Sequence, residues 1–528
     1  MKQLKVWLPF LFAVVMIFGM VIGYRLSSDI SPKGFFKSPK KAPVDEVIGL
    51  ISQRYVDSIN LDTLGENAIE GMLAHLDPHS IYIPPVDLSE VNEDLQGNFE
   101  GIGVEFQIFD DTVNIVSVLA GGPSDKAGLE VGDKIIQVND STVAGNGIDG
   151  DKIKKFLRGP GASNVTVTVM RDSKPLKVGI TRGTIPLPSV DASYMIDKTT
   201  GYIHINKFSE TTHPEFVEAM QLLQKNPLQR LILDLRGNGG GILQQAVAVA
   251  DDFLDGDKLI VYTQGVNSSK VEYRCKVDGL YEKGKLIVLV DEGTASASEV
   301  LVGALQDWDR ATIIGRRTFG KGLVQEQYQL SDGSALRLTV ARYYTPSGRS
   351  IQKPYNKEDH DAYNEEVMKR FHDGEVLHGD TSTAHNGKIY KTNSGRTVYG
   401  GGGISPDIFI AFDTATIDHS ITSLYVNNTL NRFVYTYYIQ HLPEFKQFKS
   451  ASDFASGFSH NDELWKNLVD YASKDTINLK TISEKNKEVL LLRTKALLGR
   501  QGWRQEGYFE VANTFDPVIK KALNLNGN

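Results

Sequence analysis

The residues best suited to chemistry are Ser296 and two side chains that follow it 25 and 29 positions later, Lys321 and Gln325. Residues 285–290 (KLIVLV) are an apolar, β-branched run that is typical of a buried strand, and apolar residues recur at helical spacing after Ser298. This pattern places Ser296 in the first turn of a helix, just after a strand. Free backbone N–H groups and the helix dipole favour developing negative charge there, so the position suits a nucleophile.

Both residues also have a purely structural interpretation. Ser296-x-x-Glu299 fits a capping box, in which the serine only begins the helix. Lys321 lies between two glycines and two predicted strands, where a lysine is usually a solvated turn residue. To act as the general base for Ser296, Lys321 must be neutral near pH 7, so burial or nearby positive charge must lower its ordinary pKa of about 10.4.

Other polar side chains offer alternatives for this chemistry. Ser298 competes as the nucleophile, but it lies two residues further into the helix, where its side chain should turn away. His204 and His213 are the candidates for a Ser-His-Asp triad, although His204 alternates within a predicted strand as a half-buried residue does. His75 and His79 lack a third ligand spaced to join them, while the histidines at 360, 372, 378 and 385 leave a metal site open as an alternative. The expected chemistry itself implies no metal and no organic cofactor.

Four motifs together resemble the C-terminal processing peptidases, also called tail-specific proteases. They are TASASE around Ser296, TFGKGLVQ around Lys321, DLRGNGGG at 234–241 and YYTPSGRSIQ at 343–352. The resemblance covers roughly residues 44–410, and its motifs are long and mutually spaced.

This resemblance implies a role for each site residue. Ser296 and Lys321 would form the catalytic dyad, with Gln325 orienting the lysine. The implied oxyanion hole pairs a glycine N–H of the DLRGNGGG turn with a helix N–H, from Gly240 or Gly241 and from Ala297. Asp234, at the start of the same turn, is expected to be structural.

Residues 97–184 resemble a PDZ domain. Gly101, Ile102, Gly103 and Val104 match the glycine-rich loop that binds a peptide carboxylate. Glycines let several backbone N–H groups converge on one anion, and the adjacent strand edge pairs with an extended peptide. The structural alternative is a tight hairpin. The resemblance also suggests that an empty PDZ domain leaves the catalytic lysine misplaced.

The fold class follows from the order of elements. Repeated strand, turn and helix patterns between residues 201 and 345 predict an α/β core with mostly parallel strands, and the resemblance makes this a ClpP/crotonase-like protease core. The expected organisation is a transmembrane anchor or signal segment (1–27), a linker (28–43), an N-terminal helical region (44–96), an inserted PDZ domain (97–184), a serine protease core (185–412) with a surface insertion (353–400), and a C-terminal helical region (413–528).

Composition sets the expected location. The net charge is −8 and no basic block is present, so nucleic acid is not an expected partner. Residues 6–24 are 19 residues without a charge, which is just enough to span a bilayer, although a cleaved secretory signal is the alternative. Lysines flank this segment on both sides, so the charge pattern leaves its orientation open. The resemblance places the protein in a bacterial inner membrane with its catalytic part in the periplasm.

We therefore expect a periplasmic serine endopeptidase that captures the apolar C-terminal tail of a polypeptide in its PDZ domain and cleaves by an acyl-enzyme mechanism. A homo-oligomer or an adaptor protein is compatible with the sequence. The alternatives are a non-catalytic PDZ scaffold of the cell envelope and an acyl-transfer enzyme for non-peptide substrates. The scaffold predicts a broken dyad, whereas both dyad residues are present.

Overall fold

The computed structural model describes residues 2–29, 42–357, 359–379, 387–413 and 418–525. The chain divides into two units, residues 1–73 and 74–528. The first unit contains three helices, α1 (Lys2–Asp29), α2 (Pro43–Arg54) and α3 (Leu61–Leu73). Helix α2 has a proline and two carboxylates in its first turn and an arginine in its last, an arrangement that suits the helix dipole.

The membrane anchor predicted over residues 1–27 is not supported. Within the ranges that the structure describes, no helix combines the length and the apolar content that crossing a bilayer requires. Most of the linker predicted at 28–43 lies outside the described residues.

The second unit begins with β1 (Ile81–Ile83) and α4 (Pro85–Gln96), which precede the predicted PDZ domain. The PDZ region then holds β2 (Asn98–Gly101), β3 (Val104–Phe109), β4 (Thr112–Val118), α5 (Pro123–Lys126), β5 (Lys134–Val138), β6 (Ser141–Thr142), α6 (Gly150–Leu157), β7 (Asn164–Arg171), β8 (Lys174–Thr181) and β9 (Gly183–Pro186). An antiparallel sheet in the order β3-β4-β5-β7-β8 encloses an apolar core, and β3 is its edge strand. Strands β2 and β9 pair where the chain enters and leaves this domain.

The α/β core follows. Its elements are β10 (Val190–Met195), β11 (Thr200–Ile205), α7 (Thr212–Leu223), β12 (Arg230–Asp234), α8 (Leu243–Asp251), β13 (Leu259–Gln264), β14 (Val271–Arg274), β15 (Lys285–Val290), α9 (Ala297–Asp307), β16 (Thr312–Gly315), β17 (Leu323–Gln329) and β18 (Ala335–Tyr344). The predicted surface insertion holds α10 (His360–His372), α11 (Glu375–His378), β19 (Ile389–Lys391) and β20 (Thr397–Tyr399), and β21 (Ile408–Phe409) follows it.

The main sheet has the order β10-β11-β12-β15-β16-β21, and every neighbouring pair except β10–β11 is parallel. Parallel strands are buried on both faces, which explains the continuous apolar runs at 231–233 and 286–290. Helices α7, α8 and α9 cover one face. The predicted mostly parallel α/β core is therefore present.

A second, antiparallel sheet adds the segment that precedes the PDZ region to this core. It has the order β1-β18-β13-β14, and β17 also pairs with β18. Because β1 and β17 both pair with β18, the turn before β1 lies beside the strand that carries Gln325.

The C-terminal region is helical: α12 (His419–Val426), α13 (Thr429–Gln440), α14 (Leu442–Phe445), α15 (Ala451–Gly457), α16 (Asn461–Lys474), α17 (Glu484–Ala512) and α18 (Pro517–Leu523). Helices α12 and α13 are separated at Asn428, which has a left-handed φ of 56°. Helix α17 is kinked at Trp503 and Arg504. Helix α18 covers the second face of the main sheet, and Tyr435 of α13 packs on Phe109 of the PDZ region.

Candidate active site

The turn between β15 and α9 holds Ser296 in an unusual backbone conformation. Its φ is 59° and its ψ is −118°, a combination that costs free energy in an L-residue and that is common at functional sites. The Ser296 N–H donates to Glu299 Oε2 (3.0 Å), and the Ala295 N–H donates to the Asn238 carbonyl (2.9 Å). Helix α9 therefore begins with the predicted Ser296–Glu299 capping box, and the hydrogen bond from the Ser296 N–H is its glutamate half.

The glycine-rich turn after β12 lies directly against Ser296. Gly240 has a φ of 97°, and a Cβ on it would lie 2.7 Å from Ser296 Cβ and 2.9 Å from the Ala297 nitrogen. Only glycine permits this approach. The Gly240 N–H donates to Asn238 Oδ1 (2.9 Å), so one of the two glycine donors predicted for the oxyanion hole already has a partner. The other, Gly241, follows with a φ of 137°.

A buried carboxylate links this turn to the loop that carries the lysine. Glu299 is fully buried; Oε1 accepts from Thr318 Oγ1 (2.5 Å) and the Gly320 N–H (2.8 Å), and Oε2 accepts from the N–H groups of Ser296 (3.0 Å) and Lys321 (2.8 Å). Burial raises the pKa of Glu299 to about 7, against the opposing effect of these hydrogen bonds. The shared Oε2 brings the Ser296 and Lys321 backbone nitrogens within about 6 Å of each other.

The Lys321 side chain is half-buried, and the pKa of its amine is lowered. Burial is the main cause and the charge of Arg337 on β18 adds to it, while the carboxylates of Asp77 and Glu299 oppose the shift. This direction is the one that a general-base lysine requires. Among the described residues, however, no hydrogen bond joins Lys321 Nζ to Ser296 Oγ. The two segments are joined through Glu299 and by the Phe319 N–H, which donates to the Thr294 carbonyl (2.9 Å).

The Gln325 side chain is held by the turn before β1. Its Nε2 donates to the carbonyl of His79. That turn is itself fixed, because the buried Asp77 accepts from Ser80 Oγ (2.6 Å) and from Thr339 Oγ1 of β18 (2.8 Å). Gln325 is thus anchored at a distant segment, and its predicted contact with the lysine is not formed in this arrangement.

The side chain of His79 connects the turn before β1 to the insertion helix α10. Its Nε2 is 2.9 Å from the hydroxyl of Tyr363 on α10. Burial first, and then the charge of Lys321, lower the pKa of His79 to about 4, so its ring is neutral at physiological pH.

The alternative residues have other partners. Ser298 is fully buried and donates to the Asn238 carbonyl (3.1 Å), so its side chain is turned into the core. Asp234, expected to be structural, accepts from the Arg236 guanidinium (2.6 Å). The two histidines are paired with aspartates: His204 with Asp191 (2.5 Å) and His213 with Asp252 (2.9 Å).

Sequence reasoning did not assign site roles to Glu299 beyond capping, or to Asp77, His79 and Tyr363. The Ser-x-x-Glu spacing indicates the capping role of Glu299, but it does not indicate the contacts of Glu299 with the lysine loop. The others come together through contacts between residues more than 240 positions apart, for which a single sequence carries no local signal.

The PDZ region presents a groove of about 500 Å³ between the edge strand β3 and helix α6. Residues 101–107 line one side, and Lys154, Leu157 and Arg158 line the other. The loop that begins β3 is fixed because the carbonyls of Ile102 and Gly103 accept from backbone N–H groups (3.0 and 2.9 Å). Such an unpaired strand edge beside a glycine loop can add an extended peptide.

Comparison with known families agrees with these features. Residues 199–361 match the model of peptidase family S41, residues 115–171 match a PDZ domain, and residues 421–504 match a family of unknown function. The carboxy-terminal-processing protease of Bartonella bacilliformis is 38% identical over 314 residues, which cover 58% of this chain and 71% of that protein. A probable CtpA-like serine protease of Staphylococcus aureus is 36% identical over 312 residues, which cover 58% of this chain and 62% of the relative.

Among solved structures, the photosystem II D1 C-terminal processing protease aligns over 69% of this chain and 86% of its own, with 26% identity and a TM-score of 0.36. The PDZ domain of a Vibrio cholerae carboxy-terminal protease, solved with a peptide, aligns over 17% of this chain and 99% of its own, with 35% identity and a TM-score of 0.16.

The chain belongs to the C-terminal processing peptidases of family S41, and it is a serine peptidase with a PDZ domain. The predicted fold class, an α/β peptidase core with an inserted PDZ domain and helical terminal regions, is confirmed.

Proposed function

We propose that this peptidase cleaves polypeptides through a Ser296–Lys321 dyad after its PDZ domain has captured a C-terminal tail. The observation that carries the dyad is the shared Glu299 oxygen, which holds the two backbones close together. A lysine has a flexible four-carbon side chain, so rotation about its own bonds moves Nζ over a distance comparable to this separation.

The reaction follows from this placement. In its neutral form, which burial favours, Lys321 Nζ takes the proton of Ser296 Oγ as that oxygen bonds to the peptide carbonyl carbon. The resulting ammonium returns the proton to the leaving amine, which frees the first product and leaves an acyl-serine. Water, deprotonated by the same amine, then attacks the acyl carbon. The ammonium returns this proton to Ser296 Oγ as the ester bond breaks and the second product leaves.

Two backbone donors stabilise the tetrahedral oxyanion in this proposal. The Ala297 N–H opens helix α9, where the helix dipole favours negative charge. The Gly241 N–H is the stronger partner of the two glycine candidates, since the Gly240 N–H donates to Asn238. One such donor typically contributes about 3 kcal/mol to transition-state stabilisation.

Alanine variants of the two dyad residues test the assignment. Ser296→Ala and Lys321→Ala should each lower kcat on an unfolded polypeptide by a factor of about 10³ or more, with unchanged circular dichroism. Ser298→Ala is the matched control and should keep its activity. Full cleavage by either dyad variant would refute the mechanism.

The groove geometry supports tail capture. Loop N–H groups around Ile102 and Gly103 would bind the terminal carboxylate, and the edge of β3 would pair with the peptide backbone. Amidating the carboxylate of a substrate with an apolar C-terminus should raise KM and leave kcat nearly unchanged. Equal KM values for the free acid and the amide would contradict tail capture without affecting the dyad.

We also propose that the catalytic unit works in the periplasm. The uncharged stretch at residues 6–24, preceded by two lysines, supports export. Cell fractionation tests this location, and recovery of the protein with cytoplasmic markers would contradict it.

A further inference from the structure

The insertion helix α10 holds the backbone of the lysine loop. Arg370, only 3% exposed, donates from NH1 to the carbonyls of Arg317 (3.1 Å) and Thr318 (2.8 Å) and from NH2 to the carbonyl of Phe319 (3.1 Å). Three successive peptide groups, ending two residues before Lys321, are therefore bound to one guanidinium. A guanidinium offers five donors in a rigid fork, which makes it suited to such a contact.

A carboxylate on the same helix orients that guanidinium. Glu366 accepts from Arg370 Nε (2.8 Å) and NH2 (2.9 Å), and also from Lys353 Nζ (3.1 Å). Burial favours the neutral acid, but the Arg370 hydrogen bonds and the neighbouring cations prevail and lower the pKa of Glu366 to about 2. The pair is therefore charged throughout the neutral range.

The same helix reaches the segment that holds Gln325. The Lys353 ammonium lies 3.9 Å from the ring centre of Phe319 and 4.2 Å from that of Tyr363. The Tyr363 hydroxyl contacts His79, whose carbonyl accepts from Gln325. Helix α10 thus contacts the loop that carries the proposed base and the turn that holds its orienting amide.

We propose that Arg370 is a positioning residue for the general base, and that the 353–400 insertion is part of the catalytic apparatus. This inference rests on the proposed role of Lys321. Glycines flank that lysine, and Gly320 has a φ of 90°, so the loop backbone has many alternative conformations without an external constraint. Arg370 lies beyond residues 199–361, the part of the chain that matches the family model.

The test replaces Arg370 with lysine, which keeps the charge but not the fork, and with alanine. On a short quenched peptide we expect kcat to fall by about 10- to 100-fold in each variant with KM unchanged, because misplacing a catalytic group by about 1 Å costs this much. The acid limb of the kcat profile should move to higher pH, because a loosened loop exposes the Lys321 amine to water and moves it away from Arg337, and both changes raise its pKa. Asp77, His79 and Glu299 remain the other titratable neighbours of this amine. Added guanidinium should restore part of the activity of Arg370→Ala.

Arg396→Lys is the matched control. Arg396 lies in the same insertion, and among the described residues its hydrogen bonds go to Asp309, Asp407 and the Gln306 carbonyl rather than to the lysine loop. We expect its kcat and its pH profile to match those of the unmodified protein. If the Arg370 variants lose thermal stability but keep kcat and the pH limb, the residue is structural and the inference fails. An active Lys321→Ala variant would instead refute the dyad itself.

Discussion

The two halves of the proposed dyad are positioned in opposite ways. The Ser296 turn is built locally, from the end of β15, the start of α9 and the glycine turn after β12. The Lys321 loop is built from distant segments, because its backbone is held by Glu299, by Arg370 of the insertion and by Ile404 after it. The position of the nucleophile thus depends on a few tightly packed atoms, whereas the position of the base depends on contacts from several separate segments of the chain.

This difference assigns different consequences to substitution in each half. A change at the serine turn meets backbone atoms that cannot move, so it should abolish activity outright. A change around the lysine loop should shift the position or pKa of an amine and reduce activity by degrees. Glu299 lies in both halves, since its two oxygens bind both segments.

Outside the dyad itself, the largest effect is expected at Gly240. In Gly240→Ala the new methyl would lie 2.7 Å from Ser296 Cβ at a φ of 97°, so kcat should fall by a factor of about 10² or more and stability by about 2–4 kcal/mol. Gly239→Ala is the matched control, because a Cβ there has no heavy atom within 4 Å. Peptide hydrolysis and urea unfolding measure both effects, and similar behaviour of the two variants would show that the close approach is not required.

Glu299→Gln should have the next largest effect, because it weakens the side-chain connection between the two halves. The carboxylate accepts four hydrogen bonds, whereas an amide presents one acceptor oxygen and turns an NH₂ group towards at least one buried donor. We expect a loss of about 2–4 kcal/mol of stability and roughly 10²-fold in kcat.

Glu292→Gln is the control for Glu299→Gln, as it removes a nearby carboxylate that binds only Arg316. Urea denaturation and kcat on a peptide substrate compare the two variants. An equal loss in both would mean that the position of the carboxylate does not matter.

The same division explains how much the sequence could predict. The strand at 285–290, the helix after Ser296 and the glycine turn follow from local periodicity, and each was expected where the structure has it. The contact of Gln325 with His79 spans 246 positions, and that of Arg370 with the lysine loop comes from a polar stretch whose pattern favours a surface location. Periodicity predicts which face of an element is buried, but it does not identify the partner of a polar side chain.

Variants of Gln325, which is expected to orient Lys321, should have a smaller effect on kcat. Gln325→Ala should lower kcat by about 10-fold, as expected for loss of one orienting contact. Gln325→Glu places a carboxylate near the amine, which raises the pKa of Lys321, and so the acid limb of kcat should move to higher pH. Gln329→Ala, exposed on the same strand, is the control. An unchanged pH limb in the glutamate variant would place Lys321 Nζ beyond the reach of residue 325.

The smallest expected effect is a gain of stability in Lys321→Met. The pKa of Lys321 is lowered in the folded protein, so between that pKa and about 10.4 the unfolded chain binds more protons than the native chain does. Stability therefore rises with pH across this window, and below it the native state carries a poorly solvated cation. Methionine keeps the length of the side chain and removes the charge, so the free energy of unfolding at pH 7 should rise by about 0.5–2 kcal/mol.

Urea midpoints measured from pH 6 to pH 10 should converge for the two proteins as the pH rises. Lys369→Met, at an exposed position on α10, should show neither the gain nor the convergence, and a destabilised Lys321→Met variant would mean that the lysine contributes to the fold rather than being held at a cost for its chemistry.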